Sequence, residues 1–191
     1  GLDVPALTIK NYANVLTGVI ASLDENAVYE KALAAVTAAV EAQRPYIEGQ
    51  VTAAIRVEVT AQVTTAVREQ VTIQVTEAIH QTITKQVIYA ATGMDQANYD
   101  AAIAAGMIDE ETQAAIHAAI AEQMQSESIF QMIEDNTTEQ MASESVQAMI
   151  SANVDEQMRS DTIKEMIATN TEVQVQKAIS DNMASDEVQA Q

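Results

Sequence analysis

The sequence predicts an all-α protein, an elongated helical hairpin or coiled-coil bundle with long helices. Three observations carry that prediction. Valine or isoleucine recurs at every fourth residue: Val51, Ile55, Val59, Val63, Val67, Val71, Val75, Ile79, Ile83 and Val87. No glycine or proline lies between Gly49 and Gly93, and none follows Gly106. The apolar share is 48% of 191 residues, yet aromatics make up 3% and tryptophan is missing. A chain this long can bury a core, and alanine, valine, isoleucine and methionine without aromatic anchors build thin helix-on-helix seams.

Because glycine and proline are scarce, each one marks a boundary. Residues 1–44 form the N-terminal helices. Pro5 opens the first, which runs to about Leu23, and Asp24 is an N-cap for a second through Lys31 to Gln43. Pro45 stops or kinks that helix, since it lacks an N–H and disfavours the helical conformation at Arg44. Residues 45–92 are the long valine-repeat helix. Residues 93–106 are a short helix and turn, bounded by Gly93 and Gly106 and capped by Asp95. Residues 107–191 are an acidic helical repeat region opened by Asp109-Glu-Glu-Thr, whose negative charge suits a helix N-terminus.

The valine segment is a twelve-residue repeat, with Gln-Val-Thr at 50, 62 and 74. Repeats of this kind describe a shape better than a chemistry. A period of four is also a period of two, and valine and threonine favour strands. Length decides for the helix. As one strand residues 51–87 would span roughly 120 Å without a turn residue, whereas as a helix they span about 55 Å. Each four-residue step advances about 400°, so the stripe moves by about 40° per step and circles the helix. A period above 3.6 drives right-handed winding.

A second repeat, of seventeen residues, relates Met124, Met141 and Met158, then Met132, Met149, Met166 and Met183, and likewise Asn136, Asn153 and Asn170. On a continuous helix each copy is rotated by about 100° from the last. The simpler expectation is one long helix with exposed serines and asparagines, because neither residue forces a break. The alternative breaks the helix at Asn136, Asn153 and Asn170 and restarts it at Ser126, Ser143, Ser160 and Ser185.

The net charge of −19 is unevenly placed, with −3 in residues 1–92 (nine acids, six bases) and −16 in residues 93–191 (nineteen acids, three bases). Such a surface repels phosphate backbones and anionic lipid, which argues against nucleic-acid and direct membrane-surface binding. The absence of cysteine excludes disulfides and thiolate chemistry without fixing a compartment. No run of about 18 apolar residues suggests membrane insertion. Gly1 stands where a start methionine would, and Gln191 stops inside a repeat pattern. The expectation is therefore a region excised from a longer protein.

Candidate chemistry is sparse. His80 and His117 are the two histidines. They fall on separate segments without metal-ligand spacing, and His80 occupies the slot of Arg56 and Arg68 in the twelve-residue unit. Asp95, Asp100, Asp109, Glu110 and Glu111 cluster near Gly93 and Gly106, where calcium could find oxygen ligands, but the order is not an EF-hand loop and capping accounts for Asp95 and Asp109. The seven methionines from Met124 to Met183 suit a structural seam, or alternatively an adaptable partner-binding face. No nucleophile elbow, phosphate loop or Ser/His/Asp grouping is evident. No catalytic, cofactor-binding or metal residue is assigned, no cofactor is expected, and an enzyme is not expected.

The Gln-Val-Thr units at 50, 62 and 74, with Ser-Asp-Glu-Val-Gln-Ala-Gln at 185–191, resemble the helical extracellular regions of Firmicute surface proteins of the YhgE/Pip (phage infection protein) type. The resemblance covers residues 50–92 and 120–191. The family's Leu-x-x-Gly heptads are missing, and no leucine follows Leu33. The resemblance implies a helical ectodomain between membrane spans, at a bacterial cell surface, without catalytic residues to transfer. The expected role is a non-enzymatic stalk, adhesion or assembly module. Protein partners or self-association are expected. The alternatives are a binding module that uses the methionine face or acidic half for a protein or cation, and an intracellular scaffold or phage structural component.

Overall fold

The computed structural model of the chain describes residues 25–184. The expected helix over residues 5–23, the Asp24 cap and the restart at Ser185 lie outside the described residues. The all-α class holds, and no strand occurs among the described residues. In chain order the helices are α1 (Glu25–Ala42), α2 (Arg44–Thr92), α3 (Gln96–Ala104), α4 (Glu110–Met124), α5 (Glu127–Ala142), α6 (Glu144–Arg159) and α7 (Asp161–Met183).

Pro45 sits in the first turn of α2, where a missing N–H costs no intrahelical bond. The threonines that favour strands are accommodated by a local device. The hydroxyls of Thr60, Thr65, Thr72, Thr76, Thr82 and Thr92 each donate to the carbonyl four residues back. Helix α2 ends at Gly93, whose φ of 73° only glycine adopts without strain, and Gly106 turns the chain after α3 in the same way at 68°.

The seventeen-residue repeat does not form one long helix, which corrects the simpler expectation. Nor does the chain break at the asparagines, because Asn136, Asn153 and Asn170 lie inside α5, α6 and α7. The breaks fall at serine. Ser126 and Ser143 are extended residues that precede α5 and α6, and Ser160 precedes α7 at φ −63° and ψ 149°. At Ser143 the hydroxyl donates to Gln140 O at 2.6 Å and accepts from the Val146 amide at 3.4 Å, which closes one helix and opens the next.

Burial explains the length of the unit. Ile116, Ile120, Thr137, Met141, Val146, Ile150, Val154, Thr171, Val175 and Ile179 are buried. With the half-buried Met124, Ile129, Ile133, Met158, Ile163 and Ile167 between them, the spacing is four, four, four and then five across each serine. Within a helix three steps of four rotate the stripe by about 120°, and the serine then redirects the axis before the stripe drifts out of contact.

The described residues group into two compact units, one from residues up to Ile55 together with those from Asp161 on, the other Arg56–Ser160. In the first, α1 packs on α7. Its core is Val40, Val175 and Ile179, lined by Leu33, Val36, Ile47 and Ala178. Arg44 links Glu41 at 2.6 Å to Glu172 at 2.9 Å. The guanidinium holds the Glu41 carboxyl below its ordinary range, while Gln176 and then Arg44 do so for Glu172.

In the second unit every stripe residue of α2 from Val59 to Val87 is buried. Arg56 pairs with Asp155 at 2.9 Å, and Arg68 pairs with Glu134. Residue numbers therefore rise along α2 as they fall along the returning helices, so the pairing is antiparallel. Exposed pairs of this kind add little stability. They record register.

Thr137 is fully buried and its hydroxyl has no partner. The equivalent residue one repeat on is Val154. Thr137→Val is therefore expected to stabilise the protein by about 1 kcal/mol by removing an unpaired hydroxyl from an apolar seam. Urea unfolding followed by circular dichroism checks this, and a lower midpoint for the variant would contradict it.

Candidate functional site

Two of the grooves along the α2 seam of the second unit bear on function. The larger, about 660 Å³, lies where α2 meets α6. Its floor includes Val63, Val67 and Val71, with Val146 and Met149 opposite, and its rim is mainly amides such as Gln70 and Gln157. Glu156 is the one carboxylate in this lining. Aliphatic walls and neutral amides can hold an apolar side chain.

The smaller groove, about 480 Å³, lies where α2 meets α4. Its lining includes His80 and Thr84 from α2 and His117, Ile120 and Met124 from α4, with Gln125 just beyond. The two histidines that the sequence places on separate segments thus face one cleft. Repeat arithmetic contains the signal for this. Moving from Arg68 and Glu134 by twelve residues up α2 and seventeen down the returning chain arrives at His80 and His117.

The acids near the glycines are divided among local tasks. Asp95 accepts from the Asn98 amide at 2.8 Å and caps α3. Asp109 accepts from the Thr112 amide at 2.7 Å and caps α4. Hydrogen bonds from the Thr112 hydroxyl and amide hold the Asp109 carboxyl below its ordinary range. Asp100 accepts from Gln96, and Glu110 and Glu111 are exposed in the first turn of α4. Among the described residues no three of His, Cys, Asp or Glu are grouped to hold a metal ion.

The methionines divide into two rows, which corrects the expectation of a single seam. Met141 is buried and Met124 and Met158 are half-buried, but Met132, Met149 and Met166 are 46%, 51% and 41% exposed. The rows are eight residues apart, which places one about 80° around the helix from the other. No described helix is long and apolar enough to cross a membrane. No family model, curated protein or solved structure matches the chain.

Proposed function

We propose that the chain is a non-enzymatic structural module, a stalk-like spacer or assembly unit carried on the outside of a bacterial cell. The observation that carries this reading is the commensurate pair of repeats. Twelve residues of α2 turn its stripe by about 120°, and a seventeen-residue segment turns its own by the same angle before each serine break. An architecture of this kind lengthens by adding copies of both units without new chemistry. The resemblance to YhgE/Pip-type ectodomains supports the same role and location.

Small-angle X-ray scattering tests the proposal. A spacer is expected to give a radius of gyration well above the roughly 16 Å of a compact domain of this length, unchanged by millimolar calcium. A value near 16 Å would overturn it.

A second reading, a protein-binding module, is favoured by Met149, which is half exposed and lines the larger groove. Flexible thioethers over an aliphatic floor suit an apolar side chain from a partner.

A further inference from the structure

We propose that His80, His117 and Met124 form a binding site for a soft transition-metal cation, copper(I), bridging α2 and α4. Three observations lead there. The first is placement. Repeat positions that carry the Arg68–Glu134 ion pair one unit away carry two imidazoles here, and both line one groove. A charged pair that records register has been replaced by two imidazoles, whose ring nitrogens are metal donors.

The second is the donor set. Met124 lines the same groove, one residue from Gln125 at the end of α4. The lining contains no carboxylate. Calcium and magnesium are held chiefly by carboxylate oxygens, which this lining does not supply. Imidazole suits zinc, nickel and copper, and thioether sulfur favours copper(I), so copper satisfies both donor types. Among the described residues no third His, Cys, Asp or Glu joins the two histidines, and the third donor is methionine sulfur.

The third is access and field. Both histidines are exposed, so an ion reaches them without the seam opening. The −16 charge of residues 93–191 raises the local concentration of cations around α4. Two donors on α4 and one on α2 would tie the helices together at a level where no ion pair joins them among the described residues.

Anaerobic titration of the whole chain with copper(I), in competition with a chromogenic copper(I) chelator, tests the site. The expected result is one ion per chain. His80→Ala and His117→Ala should each weaken binding by about 100-fold, and Met124→Leu by about tenfold, with helix content unchanged. Met149→Leu, in the other groove, should bind as the parent does. Zinc should bind more weakly than copper(I) and be insensitive to Met124→Leu. Failure of the parent chain to compete for copper(I) would overturn the proposal. So would unchanged stoichiometry and affinity in the His80→Ala/His117→Ala double variant, which would assign the copper to methionines or acids elsewhere.

Discussion

Deleting Ser143 alone is expected to destabilise the second unit by about 5 kcal/mol or more, enough to leave it without a cooperative transition. The deletion removes one small polar residue that is not part of the buried stripe. Its effect comes from phase. At present α5 and α6 each turn their stripe by about 120°, and Ser143 redirects the chain between them. Without it the two fuse into one helix whose stripe runs from Ile129 to Met158 in seven steps of four, spreading over about 280°. At most half of that arc can face α2. Val146, Ile150 and Val154, all now buried, would move toward solvent at about 1.5–3 kcal/mol each.

Two variants separate phase from capping. Ser143→Gly keeps the residue count and a tolerated N-cap, and should cost only a few tenths of a kcal/mol. Deleting seventeen residues from the returning chain together with twelve from α2 should restore cooperative unfolding, because both stripes lose 120° together. Urea unfolding of the three proteins decides the matter. A native-like midpoint for the Ser143 deletion would show that the serine breaks do not set the phase.

Helix α2 could be read directly, because 37 residues without glycine, proline, asparagine or aspartate leave a strand nowhere to turn. The back-bonding of its threonines is a consequence of the helix and gives no independent signal. The seventeen-residue unit is visible in the sequence, yet serine forces no break by itself, so the repeat alone favours a continuous helix. The deciding fact was the spacing of four, four, four and five, whose fifth residue has meaning only once a neighbouring helix demands that the stripe be reset.

The two methionine rows could likewise be counted in the sequence, but which row faced the seam depended on the position of α2. The meeting of His80 with His117 requires the register of antiparallel pairing, recorded by Arg68–Glu134. Register between two repeats of different length is a tertiary property, and neither repeat contains it alone.

Replacing Ile88 by alanine is expected to cost about 3–4 kcal/mol, although Ile88 does not belong to the four-residue stripe. It is 1% exposed, and its neighbour Val87 is also buried. Adjacent helix positions point about 100° apart. Burying both therefore means that α2 is covered on two sides at this level, whereas Val63 or Val71 marks cover on one. Truncation removes three carbons from a site with little room to relax, which adds a cavity cost to the lost transfer energy. The small gain from alanine's helix propensity does not offset that loss.

Ile73 supplies the control, with the same side chain in the same helix but 60% exposed. Ile73→Ala should change stability by no more than about 0.5 kcal/mol. Urea denaturation of both variants makes the comparison, and equal midpoints would refute the two-sided burial of Ile88. If the difference is as expected, the strongest point of the α2 seam lies near its C-terminal end, beyond the last repeat. A repeated seam with a thickened end has fixed length at that end, because further copies can be inserted only before it.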